Sequence, residues 1–62
     1  MNNLKKIREE KSLSQIQLAA KAEVSTSTIS LMENEEDYSP NPSTLKAIAA
    51  ALNCTVEELK GE

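Results

Sequence analysis

The chain has 62 residues, room for one hydrophobic core and no more, and a domain of this size buries only about 60% of the surface that its unfolded chain exposes. A formal net charge of −3 argues against bulk-charge attraction to nucleic acids or anionic membranes, and a single aromatic residue, Tyr38, excludes a stacking platform for single-stranded bases. One cysteine, Cys54, and no histidine exclude an internal disulfide, a cysteine-rich metal site and the commonest general base.

The N-terminal stretch carries Lys5, Lys6, Arg8, Glu9 and Glu10 without the apolar run of a signal peptide. No segment is apolar for long enough to span a bilayer. The expectation is a cytoplasmic protein in a reducing compartment. Catalysis finds no support: there is no nucleophile–base pair and no glycine-rich phosphate loop. Glu9–Glu10 and Glu57–Glu58 are neighbours on exposed helix faces, and no metal or cofactor is expected.

From Asn3 to Lys11 the spacing of Leu4 and Ile7 predicts a first helix. Asn3 is its candidate cap, and the aliphatic stem of Lys11 extends its apolar face. Ser12 occupies a position where a helix end more often has glycine. Ser14 to Ala22 reads as a second helix. Ser14 and Gln17 match a capping box, Leu13 and Leu18 a hydrophobic staple. Leu18, Ala19 and Ala22 share one face, and the small Ala19 lets another helix approach closely.

Only Glu23 and Val24 separate this helix from the next. Ser25 opens a third helix that runs to about Glu33, with Val24 and Ile29 as its staple. Val24, Thr28, Ile29 and Met32 face inward. Two capped helices this close must turn sharply, which is the geometry of a helix-turn-helix.

Asn34 to Pro40, NEEDYSP, reads as a loop. Asn41 then caps a fourth helix with Pro42 at its first position, where a missing N–H costs nothing. Pro40 and Leu45 stand at staple-like spacing. Leu45, Ile48, Ala49 and Leu52 form the stripe of a buried amphipathic helix. Asn53 suits a left-handed helix end. Thr55 and Glu58 form another capping box, Cys54 and Leu59 its staple, and Gly61 ends a short fifth helix. The expected architecture is all-α: a compact five-helix bundle over residues 1–62, forming a single domain that contains a helix-turn-helix.

The ordered set LKKIREEKSLSQ, LA, VSTSTISLMEN, PNPSTLKAIAAAL and CTVEEL resembles the Cro/phage-repressor, or XRE-like, family of helix-turn-helix domains with the lambda-repressor-like fold. The resemblance covers nearly the whole chain. It implies sequence-specific binding of double-stranded DNA by a transcriptional regulator, most often a repressor. Such a regulator acts as a homodimer on a palindromic operator, and many relatives continue beyond the length seen here. It also implies that the third helix lies in the major groove. By position, Thr26, Ser27, Ser30 and Leu31 then read bases. Ser14, Gln15 and Asn34 meet phosphates. Arg8 pairs with Glu33, against the alternative of two solvated charges.

Several residues depart from the pattern. No Lys or Arg lies between Lys21 and Lys46, and the loop reads Glu35-Glu36-Asp37 where relatives often carry glycine and basic residues. Glu23 replaces the usual turn glycine, and Cys54 stands where relatives have valine, as a small core residue. Leu31 replaces a polar residue. It suits a thymine methyl, partial burial or a protein partner about equally. Gln15 has an ordinary exposed role as its alternative, and Tyr38 either donates to a phosphate or shields the loop. A second function is therefore kept open: a protein-interaction module using Leu31, Ile16 and the acidic loop.

Overall fold

Five helices form along the chain: α1 (Leu4–Glu10), α2 (Gln15–Ala22), α3 (Thr26–Asn34), α4 (Pro42–Ala51) and α5 (Val56–Lys60). The computed structural model describes residues 3–35 and 37–61, and these contain no strand.

Three of the four connections repeat one device. Each contains a residue in the left-handed region: Ser12 (φ 61°), Glu23 (φ 61°) and Asn53 (φ 57°). The next residue's N–H reaches back five positions, Leu13 to Arg8 O (3.1 Å), Val24 to Ala19 O (2.9 Å) and Cys54 to Ala49 O (2.9 Å). The left-handed residue itself donates to Glu9 O, Ala20 O or Asn53's counterpart Ala50 O, which completes a Schellman end and satisfies the last carbonyls. Leu13, Val24 and Cys54 then pack against the core, and a hydroxyl cap follows at once. Ser14, Ser25 and Thr55 each accept the backbone N–H three residues ahead. Gln17 and Glu58 answer by accepting the cap N–H, so both expected capping boxes form. One helix is thus ended and the next begun within three residues.

The link from α3 to α4 differs. α3 continues through Asn34, one residue past the expected start of the loop, and Glu35 N–H closes it on Leu31 O at 2.9 Å. Asn41 caps α4 by accepting Thr44 N–H at 2.9 Å, with Pro42 first in the helix. Tyr38 is half-buried against the core, which favours its shielding role. Glu36, one of the three acids of the loop, lies outside the described residues.

Every helical segment contributes to one apolar cluster. Leu4, Leu18, Ile29, Ile48, Leu52 and Leu59 are fully buried. Ala19, Ala22 and Ala49 lie among them, small enough for α2 to pack closely on both α3 and α4. Leu45 is half-buried, at the rim of the stripe.

Two expectations for α1 need correction. Asn3 does not cap it with its side chain. Its backbone N–H donates to Leu59 O (2.7 Å) and its Nδ2 to Glu58 O (3.3 Å), so it joins the start of α1 to the end of α5. Lys11 does not extend the apolar face; it is exposed, and Arg8, one turn after Leu4, is buried there instead.

Candidate nucleic-acid interface

An ion pair beneath the helix-turn-helix fixes its frame. Arg8 Nε donates to Glu33 Oε2 at 2.6 Å, and a second guanidinium nitrogen donates to Glu33 Oε1 at 3.2 Å. The remaining terminal nitrogen donates to Leu13 O at 2.6 Å. Glu33 Oε1 also accepts from Gln15 Nε2 at 3.0 Å. One cluster therefore links α1, the entry to α2, the first residue of α2 and the last turn of α3. The Arg8 and Glu33 side chains are only 10% and 2% exposed.

Burial alone pushes the Glu33 carboxyl upward. The hydrogen bonds from Arg8 and Gln15, with the charges of Arg8 and Lys5, outweigh it and hold the carboxyl below its ordinary range. Hydrogen bonding to Glu33 raises the Arg8 guanidinium above its already high value, against the opposing effect of burial. Both groups are charged at neutral pH.

The ion pair ties α1 to the last turn of α3, and the bond from Gln15 to Glu33 ties that turn to the head of α2. The buried face of α3 is carried by Ile29 and Met32. On the other side Thr26, Ser27 and Leu31 are exposed and Ser30 is half-buried. Thr28 is turned to its own cap: its hydroxyl and that of Ser25 lie 2.8 Å apart. Asn34 is exposed at the end of the helix and its Nδ2 donates to Ser30 Oγ at 3.2 Å. Thr26, Ser27, Ser30 and Leu31 thus share one outward face of α3, with Asn34 at its far end.

At the head of α2, Ser14 is occupied by its capping box but keeps its hydroxyl proton to donate. The N–H groups of Gln15 and Ile16, in the first turn, have no acceptor within the helix, which makes this end attractive to an anion. The Gln15 side chain is half-buried and held by Glu33, a contact with no signal in the sequence because the two residues are 18 apart. Its amide keeps one N–H and its oxygen for an outside partner. Ile16 beside it is 70% exposed and Leu31 43% exposed, the two large apolar side chains left uncovered among the described residues.

Charge around this face is sparse. α3 carries no cation in its last turn, and exposed Glu35 and Asp37 follow it. The nearest lysine before it in the chain is Lys21, exposed in the last turn of α2. Cys54 is half-buried, and burial pushes its thiol up, away from the reactive thiolate. Among the described residues no group of Cys, Asp and Glu is arranged to hold a metal ion, and no helix is long and apolar enough to cross a membrane.

Two short helices locked across a three-residue turn, the second with a polar outward face, define a helix-turn-helix protein. The chain belongs to the Helix-turn-helix family, which matches residues 4–59. It is also 44% identical over 59 residues to an immunity repressor protein of Bacillus phage phi105. That alignment covers 95% of this chain and 40% of the phage protein, so the chain spans about 40% of the length of this relative. The family is one of DNA-binding regulators and not of enzymes.

Proposed function

We propose that this chain is the DNA-reading part of a transcriptional repressor, acting in the cytoplasm on a palindromic operator as a homodimer. α3 enters the major groove and reads bases with Thr26, Ser27, Ser30 and Leu31. The head of α2 holds a phosphate through the Gln15 and Ile16 N–H groups, the Ser14 hydroxyl and the free N–H of the Gln15 amide. Asn34 meets a phosphate at the other end of α3. The two heads sit on half-sites about one helical turn, roughly 34–36 Å, apart. These 62 residues would form one domain, with the exposed parts of α4 and α5 as the candidate surface for pairing.

The observation that carries this reading is the outward face of α3. Four adjoining side chains with no cation among them, three exposed and Ser30 half-buried, face outward on a helix whose last turn is tied to α1 by a buried ion pair and to α2 through Gln15. Support also comes from the likeness to a phage immunity repressor.

Selection from a randomised duplex pool tests it. A palindromic duplex should be enriched. Replacing both Thr26 and Ser27 by Ala should relax the preference within each half-site and leave the melting temperature nearly unchanged, since both side chains are exposed. No enrichment at low salt would overturn the reading.

Exposed Ile16 and Leu31 favour one second reading, a protein-interaction module on the same fold. It requires that replacing Ile16 by a polar residue abolish partner capture while DNA selection stays empty.

A further inference from the structure

We infer that Leu31 is a specificity-determining residue that selects a thymine in each half-site by its 5-methyl group. The inference rests on the DNA-reading function proposed above and names the chemistry by which that face discriminates.

Strong base discrimination in the major groove comes from bidentate side chains: Arg or Lys on guanine, Asn or Gln on adenine. None of Thr26, Ser27, Ser30 and Leu31 is such a residue. The two amides nearby are assigned to phosphates under the proposed function, Gln15 at the head of α2, held by Glu33, and Asn34 at the far end of α3, bonded to Ser30. The hydroxyls of Thr26, Ser27 and Ser30 can donate or accept, so each tolerates several base edges. That leaves Leu31 as the one wholly apolar side chain on this face of α3. It lies one turn beyond Ser27 and beside Ser30, on the outward face, and 43% of it is uncovered.

Apart from flat ring C–H edges such as cytosine C5–H, the groups that bases present in the major groove are hydrogen-bond donors and acceptors, and the one apolar group that projects from them is the thymine 5-methyl. Set against a donor or acceptor, Leu31 strips water from a polar atom and gives nothing back. Set against the methyl, two apolar surfaces leave water together. The side chain therefore rejects as well as selects, which a hydroxyl in its place does not do.

The test uses the duplex enriched from the pool. Each thymine is replaced in turn by uracil, which removes the methyl and keeps every hydrogen-bonding edge. One position per half-site should lose about fourfold in affinity, the equivalent of about 0.8 kcal/mol for one buried methyl-sized group. With Leu31→Ala that sensitivity should vanish, while circular dichroism shows the same helical fold. With Leu31→Gln, selection should replace that thymine by adenine, which Gln reads through N6 and N7. An enriched duplex that tolerates uracil everywhere would overturn this inference and leave the DNA-reading function standing. A uracil effect that persists in Leu31→Ala would also overturn it, by assigning the methyl to another residue. Failure to enrich any duplex overturns both.

Discussion

Removing the Glu33 carboxylate should cost this protein a large share of its stability. In Glu33→Ala the Arg8 guanidinium keeps its place, with its side chain 10% exposed, and loses the two hydrogen bonds at 2.6 and 3.2 Å that offset its charge. Gln15 Nε2 loses its acceptor as well. Breaking a buried pair by deleting one partner costs roughly 3–5 kcal/mol, mostly from the uncompensated charge. A chain of 62 residues has about 3–9 kcal/mol in total, at 0.05–0.15 kcal/mol per residue. Glu33→Ala should therefore lose about a third or more of the parent's stability, and at the lower end of that range it is largely unfolded at 25 °C without denaturant. Urea titration followed by circular dichroism at pH 7 measures this against the parent chain. The double variant Arg8→Met, Glu33→Leu removes both charges, fills similar volume and should recover most of the loss, since apolar pairs replace buried ion pairs at little or no cost. A Glu33→Ala variant within about 1 kcal/mol of the parent would refute the reasoning, by showing that water reaches Arg8 and screens it.

The same carboxyl gives the protein a pH dependence. Its value is depressed in the folded state, so its contribution is complete above the unfolded value of about 4.3 and is lost as pH falls through the folded value. Urea midpoints should thus fall more steeply below about pH 4.3 in the parent than in the Arg8→Met, Glu33→Leu variant; parallel curves would place the acid sensitivity elsewhere. Glu23 sits at φ 61°, where a side chain costs about 1–2 kcal/mol and glycine costs almost nothing, so Glu23→Gly should raise the urea midpoint by the equivalent of about 1 kcal/mol. Glu35 is exposed at the end of α3, and Glu35→Lys should strengthen DNA binding and steepen the plot of log affinity against log salt by about one unit. Unchanged affinity would show that this part of the loop points away from DNA.

The fold was legible because the devices that build it are local. A hydroxyl cap and the N–H it accepts are three residues apart, a staple five, and an apolar stripe repeats every three or four. Ser14, Ser25, Asn41 and Thr55 carry these signals in the open, and each forms the cap expected of it. The left-handed positions were readable in outline for the same reason, since each lies between the end of one pattern and the cap of the next. Polar contacts between distant segments have no period and leave no such trace. Asn3 looks like a cap and instead bridges to Glu58, 55 positions away. Gln15 looks like a free side chain at a helix head and is held by Glu33. Nothing local distinguishes these uses, because the same amide serves a neighbouring N–H or a distant carbonyl equally well. The pairing of Arg8 with Glu33 was suggested by family resemblance and by nothing in the spacing. The outward face of α3 was readable for another reason: Thr26, Ser27 and Leu31 fall opposite Ile29 and Met32 on a 3.6-residue turn, so burying one set exposes the other.

For a chain that reads DNA, the acidity acts on affinity more than on choice. Phosphate contacts by lysine and arginine strengthen binding to every sequence alike, and they dominate non-specific binding. A reading helix and loop without a cation between Lys21 and Lys46 give up much of that shared term. What remains is the contribution of base edges and of phosphates held by backbone N–H groups at fixed geometry. The ratio of specific to non-specific binding is then preserved or improved while the strength of each head declines. A weak, selective head gains most from being doubled, because a second head joined to the first binds at an effective concentration set by the link between them. Under the proposed function, this is the physical reason for a palindromic site: the grip that one head lacks in charge is recovered in number.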